Sequence, residues 1–286
     1  MPLPLPPQSS KPEPRKSQSS KIVSSDYDYD QTEKMGENDQ AKISPSSPKG
    51  MLKKRSAFED LTNMSFEMNH ETLYLAVKLV DHYLMEVVCK KDKLQLLGST
   101  AFMIAAKFEE PCPPCLDDFL YICDDIYRRD EMLAMEINIL QTLKFDINIP
   151  IAYHFLRRYA RCVHANMKTL TLSRFICEMT LQEYDYIQER ASKLAAGSFL
   201  LTLYMKGLGH WAPTLEYYSG YKTSELHPLV RRLNVLLTFK SCDRLKTVYS
   251  KYSHQAFFEV TKIPPLGMLK LEKIMKSDHE AKGLAL

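Results

Sequence analysis

Cys112-Pro113-Pro114-Cys115 and His70-Glu71 are the first places in these 286 residues where side chains of a reactive type stand close together. A Cys-x-x-Cys pair can exchange a disulfide or supply half of a tetrahedral zinc site. Redox use normally needs a strand–helix–strand setting and zinc needs two more ligands nearby, and the sequence around 112–115 offers neither. His70-Glu71 lacks the second histidine of a metalloprotease helix, and the remaining histidines are scattered, so they read as surface or helix-capping side chains. The nine glycines form no G-x-x-x-x-G-K-S/T or G-x-G-x-x-G pattern, which leaves nucleotide catalysis without support. The expectation is a chain with no catalytic residue, no metal and no cofactor. An enzyme resting on the Cys112–Cys115 pair alone is the weakest of three readings.

The elements around these residues point to a helical chain. From Ser65 to about Tyr252 apolar density is high, and prolines fall only at 111, 113, 114, 150, 213 and 228, punctuating segments of helical length. Residues 69–88 carry a polar stripe of Tyr74, Lys78, Asp81, His82 and Met85 at steps of three and four, with Leu73, Ala76, Val77, Val80 and Leu84 on the other faces. From Leu94 to Ala106 there is no charge, which predicts a helix over 91–109 that is apolar all round and central in a bundle. Shorter helices are expected over 116–123 and 130–143, the latter burying Met132, Leu133, Met135, Ile139, Leu140 and Leu143. Further helices are expected near 151–161, 168–184, 189–207, 213–219 and 224–238, and no strands.

An offset of 99 positions lays Gly98-Ser99 on Gly197-Ser198 and Lys107 on Lys206, the mark of an internal duplication. The same offset places the helix at 151–161 over 52–62, so the first repeat is expected to lack its first helix and to leave one side of its central helix uncovered. Lys107 and Glu136 each stand where an apolar helix turns polar, on helices the repeat lays side by side. The residues allow either an internal salt bridge at a solvated helix end or a charged pair offered to a partner.

Phe66-Glu67-Met68-Asn69-His70-Glu71-Thr72-Leu73, Lys93-Leu94-Gln95-Leu96, Ala106-Lys107-Phe108-Glu109-Glu110 and Met135-Glu136-Ile137-Asn138-Ile139-Leu140, in this order, resemble a cyclin box. The resemblance runs from about Ser65 to the C-terminus and is strongest to the third class of animal B-type mitotic cyclins. It implies an all-α fold of tandem five-helix repeats: a first box at 64–149, incomplete at its start, a second at 150–252, and an extension at 253–286. Such cyclins open the first box with a Met-Arg-Ala-Ile-Leu-Val-Asp-Trp type helix. Here Asn63-Met64-Ser65 runs straight into the second helix and the only tryptophan is Trp211, as after a splice-type deletion. The resemblance further implies that Lys107 and Glu136 bind a cyclin-dependent kinase, with Ile104, Phe108, Leu140, Phe145 and Ile147 as apolar neighbours. Leu94 and Gln95 match part of a substrate-docking patch. The second of the three readings is a nucleic-acid-binding adaptor built from the five-helix repeats of TFIIB-like factors.

Charge argues against the adaptor: 38 Lys+Arg against 35 Asp+Glu leave +3, evenly mixed, so neither nucleic acid nor membrane is an expected partner. The odd set of seven cysteines lacks disulfide-scaffold spacing and reads as reduced and intracellular. Met-Pro-Leu-Pro-Leu-Pro-Pro is no signal peptide, and no run approaches the roughly 18 apolar residues of a membrane helix.

Residues 1–50 hold 8 of the 16 prolines, 10 serines and only five Val, Ile or Leu, a composition expected to be disordered, and residues 1–63 are read as one tail. Within it, Arg55-Ser56-Ala57-Phe58-Glu59-Asp60-Leu61-Thr62-Asn63 resembles a destruction box read by the mitotic ubiquitin ligase, with Phe where Leu is usual. Arg55, Phe58, Leu61 and Asn63 are its expected contacts. Lys53-Lys54-Arg55 is a short candidate for nuclear import, and Ser44-Pro45 and Ser47-Pro48 are candidate phosphorylation sites.

Overall fold

The computed structural model describes residues 68–238 and 246–283, with side chains as far as 278. The tail with its destruction-box-like stretch from Arg55 to Asn63, Lys53-Lys54-Arg55, both Ser-Pro pairs and Cys242 lie outside the described residues. Among the described residues every regular element is helical.

In the first repeat α1 (His70–Glu86), α2 (Leu94–Glu109), α3 (Leu116–Ile122) and α4 (Arg129–Thr142) follow the expected order. Helix α2 is central because nothing along its middle requires water. Every residue from Leu96 to Ala106 is buried, and the Thr100 hydroxyl is satisfied within the helix, donating to the Leu96 carbonyl at 2.7 Å. Among the described residues α1, α3 and α4 all pack on it. At the start of α1 the Glu110 carboxylate accepts from the Asn69 backbone N–H and side-chain amide, both at 2.7 Å, and from the Thr72 hydroxyl. An anion at a helix N-terminus satisfies orphan donors and complements the dipole, so the end of α2 fixes the start of α1.

The second repeat comprises α5 (Ala152–Cys162), α6 (Met167–Met179), α7 (Ala191–Lys206), α8 (Pro213–Ser219) and α9 (Thr223–Thr238). Helix α7 is the counterpart of α2, buried from Leu194 to Tyr204. A β-carbon on Gly197 would stand 2.8 Å from Leu229 Cδ2, so glycine is what permits α7 and α9 to approach. Helix α6 stops at Met179, short of the expected 184, and two 3₁₀ turns, Thr180–Gln182 and Tyr184–Tyr186, take over.

Three placements were not evident from the sequence. The stripe on α1 faces the second repeat: Tyr74 is buried and stacks on Tyr153 with centroids 5.9 Å apart, and Lys78 donates to the Ile187 carbonyl at 3.3 Å. A tyrosine body and a lysine stem can bury apolar surface while their tips find polar partners, so a polar stripe need not be a solvent face. Leu84 and Leu133 are exposed, because the apolar stripe of α1 and of α4 is wider than the face its neighbours cover. Past 252 the core continues through α10 (Thr247–Ser253) into α11 (Met268–Gly283), where Val260, Leu266, Leu271 and Met275 join it. The Asn234 amide pins this segment, donating to the Leu266 carbonyl at 2.7 Å and accepting from its N–H at 3.0 Å.

Candidate functional site

Lys107 lies in the last turn of α2, where the dipole favours a cation, and its Nζ meets Glu136 Oε1 of α4 at 2.6 Å. The salt-bridge reading therefore holds within the chain, yet the lysine side chain keeps 47% of its surface and the glutamate 15%. A pair this exposed contributes only about 0–1 kcal/mol to folding, so stability does not explain its placement. Around it stand two large aromatics in water, Phe108 at 48% and Phe145 at 68% exposure. Leu140 and Ile147 are half-buried at the rim, while Ile104 is 3% exposed and supports the pair from within the core.

Phe145 owes its exposure to an unusual turn. Lys144 and Phe145 both take left-handed conformations, φ 52° and 59°, and the Phe145 N–H closes α4 on the Leu140 carbonyl at 2.8 Å. Two consecutive non-glycine residues at positive φ are strained, and strain of this kind gathers at binding surfaces.

The second repeat does not reproduce the pair. Lys206 donates to the Thr169 hydroxyl at 2.6 Å, and burial, with Lys168 nearby, holds its ammonium below the usual lysine range. The position 99 residues beyond Glu136 is Val235. Of the other candidate residues, Leu94 is exposed at the start of α2 and Gln95 is half-buried beside it. Cys112 and Cys115 are free and exposed, and Cys115 opens α3, its N–H and Sγ both donating to Asp118 Oδ2 at 2.8 and 2.9 Å. This gives the cysteine a helix-capping task. No group of three or more potential metal ligands occurs among the described residues.

His70 is half-buried. It lies against the Arg174 guanidinium, and burial, then Arg174 and Lys251, lower its pKa to about 3. Arg174 donates to Tyr252 at 2.9 Å, and Tyr252 and Lys251 each donate to the Glu178 carboxylate at 2.7 Å. Glu178 is 2% exposed, so five charged or titratable groups from α1, α6 and α10 form one nearly dry network between the repeats. A sequence signal was available: Arg174 and Glu178, four apart, share one face of the helix.

Two stacked helical repeats, each around an apolar central helix, with a lysine–glutamate pair on the first, define a cyclin-type protein. The model of the cyclin N-terminal domain matches residues 56–148 and that of the cyclin C-terminal domain residues 150–266. The chain belongs to the cyclin family. It is similar to proteins named G2/mitotic-specific cyclin-B3: 84% identical over 212 residues in Canis lupus familiaris, 75% over 223 in Homo sapiens and 47% over 208 in Drosophila melanogaster. These matches take in 74%, 78% and 71% of this chain but 16%, 16% and 36% of those proteins, so the chain spans about a sixth of the length of the two mammalian relatives. Among solved structures, a viral cyclin from herpesvirus saimiri has the same fold, with a TM-score of 0.57 and 20% identity over 68% of this chain and 84% of that one. The nucleic-acid adaptor reading has no support in these matches. No helix among the described residues is long and apolar enough to cross a membrane.

Proposed function

We propose that this chain is a regulatory subunit that binds and activates a cyclin-dependent serine/threonine kinase in mitotic or meiotic control. The observation that carries the reading is the Lys107–Glu136 pair, open on the lysine side and flanked by exposed Phe108 and Phe145. Exposed aromatics supply the anchoring energy of an interface, and a fixed charged pair sets its orientation. Activation then works by positioning. A kinase requires its helix-borne glutamate paired with the strand lysine before the phosphates are aligned, and a surface that seats that helix supplies the alignment without a catalytic group of its own. Leu94, exposed beside Gln95, is the part of a substrate-docking patch that this chain retains. The stretch from Arg55 to Asn63 would deliver the protein to the mitotic ubiquitin ligase, and nuclear residence follows from the role. The test is purification of the chain from dividing cells with its bound kinases identified, followed by reconstitution with that kinase. Phosphate transfer that rises when the chain is added is expected; a chain that recovers no kinase, or one that leaves the recovered kinase inactive, refutes the reading.

A further inference from the structure

Most tyrosines among the described residues spend their hydroxyl on the fold. Tyr83 donates to Asn138 at 3.0 Å, Tyr159 to the Ser192 carbonyl at 3.3 Å and Tyr249 to the Thr261 carbonyl at 3.3 Å. Tyr121, Tyr184, Tyr217 and Tyr218 stand apart, with exposed rings and hydroxyls that bond to no described residue. Three of these four are held in α-helices, Tyr121 in α3 and Tyr217 and Tyr218 in α8. Tyr184 is the most exposed of them, at 84%, and lies outside α-helix, in the three-residue 3₁₀ turn between α6 and α7.

The residues around Tyr184 carry charge of one sign. From Leu181 to Glu189 there is no lysine or arginine, while Glu183 and Asp185 flank the tyrosine directly and Glu189 follows. The backbone here is lightly held: Glu183 is extended, and the turn is closed by the Tyr186 N–H on the Glu183 carbonyl at 3.2 Å and the Ile187 N–H on the Tyr184 carbonyl at 3.1 Å. A short exposed turn opens at little cost and can then lie extended in another protein's groove, whereas a tyrosine in a helix reaches that state only by unwinding it. A free phenol between carboxylates therefore suits an enzyme whose substrate groove is basic. What the turn is attached to gives a modification there an effect. Arg232 of α9 clasps it, donating to the Glu189 carboxylate at 2.6 Å and the Asp185 carbonyl at 2.7 Å and lying 4.8 Å above the Tyr186 ring. On the other side the Ile187 carbonyl accepts from Lys78 of α1 at 3.3 Å, a link between the two repeats. A phosphate adds about −2 charge, and placed beside aspartate and glutamate it disrupts by repulsion.

We propose that Tyr184 is a phosphorylation site for an acid-directed protein tyrosine kinase and that its phosphate loosens the turn over 183–189 from Arg232 and Lys78. The transfer uses ATP. A bond forms between Tyr184 Oη and the γ-phosphorus, the bond from that phosphorus to the β–γ bridging oxygen breaks, ADP leaves, and the phenolic proton passes to the aspartate base of the tyrosine kinase. The site lies on the second repeat and does not rest on the reading of the first as a kinase-binding face. The test is incubation of the full chain with ATP and a tyrosine kinase that phosphorylates a glutamate–tyrosine copolymer, with the labelled residues mapped by mass spectrometry. Tyr27 and Tyr29, set among aspartates in the tail, serve as the internal reference for an acidic context. Tyr184 should be labelled, whereas Tyr217, 82% exposed but helical, and Tyr186, beside the same aspartate but buried, should not. Glu183→Gln with Asp185→Asn should slow the labelling of Tyr184 about tenfold and leave that of Tyr27 and Tyr29 unchanged. In the phosphorylated chain amide exchange over 183–189 should quicken about tenfold, and in Tyr184→Phe treated the same way it should not change. An unlabelled Tyr184, label on Tyr217 at an equal rate, or parent-like labelling of the double variant would overturn the site; a labelled Tyr184 with unaltered exchange over 183–189 would overturn the loosening.

Discussion

Replacing Glu178 by alanine should unfold this protein far more readily than removing any charge on its surface. The carboxylate is 2% exposed and accepts from Lys251, whose side chain is 11% exposed, and from Tyr252, which also receives Arg174. Truncation leaves an ammonium, a guanidinium and a phenol with no counter-charge in a nearly dry space. Breaking a buried pair from one side costs about 3–5 kcal/mol, a large share of the roughly 5–15 kcal/mol by which a domain is stable. For a chain of this size that corresponds to a fall in Tm of at least roughly 6 °C. Lys107→Ala, which removes an exposed partner, should cost about 0–1 kcal/mol. Glu178→Gln should fall between the two, because its amide oxygen still accepts from Tyr252 while the charge is gone. Urea denaturation of the three variants, with thermal melts beside them, decides the matter. If Glu178→Ala stays within about 1 kcal/mol of the parent, or loses no more than Lys107→Ala, the network does not hold the repeats together and the reasoning fails.

Acid should weaken the protein through His70. Its pKa falls from 6.5 to about 3 on folding, so above pH 6.5 both states are neutral and nothing is lost. As pH falls below 6.5 the unfolded chain takes up the proton first, and stability drops by about 1.4 kcal/mol per pH unit; His70→Gln should remove that slope between pH 6.5 and 5, and an unchanged slope would discount the histidine. The first repeat, if it lacks a helix, should exchange its amide hydrogens faster over 69–143 than the second does over 151–238, whereas equally slow exchange would show that the gap is tolerated. Arg55→Ala with Phe58→Ala should lengthen the half-life of the chain in extracts leaving mitosis; half-lives equal to the parent's would remove the destruction-box proposal.

The helices α2 and α7 could be read from composition alone, because thirteen residues without charge from Leu94 to Ala106 admit few other structures and their repeat at 197–206 doubles the signal. The Lys107–Glu136 pair was equally visible, since a lone charge at the end of an apolar helix must go somewhere. The direction of a polar stripe was not visible. Tyr74 and Lys78 have the spacing of a solvent face, and only the position of the second repeat, brought close by contacts a hundred or more residues apart, turns that face inward. His70 is hidden for the same reason: its environment is made by Arg174 and Lys251, both more than a hundred residues away in the chain. The packing of α10 and α11 was missed because their apolar residues are sparse, and they reach the core through specific anchors such as Asn234 to Leu266. Strain at Lys144, Phe145 and His164 lies beyond sequence reading, as none of these positions carries the glycine that would mark a left-handed turn.

The kinase-facing role of the first repeat is tested most directly by measuring the affinity of one purified cyclin-dependent kinase for the parent chain and for Lys107→Ala, Glu136→Ala and Lys206→Ala. The geometry predicts binding weakened about tenfold or more by each of the first two variants, with folding nearly unchanged because the pair is exposed, and parent-like binding by Lys206→Ala, whose lysine is spent on Thr169. Parent-like affinity in Lys107→Ala and Glu136→Ala together with lost affinity in Lys206→Ala would place the kinase on the other repeat and contradict the account.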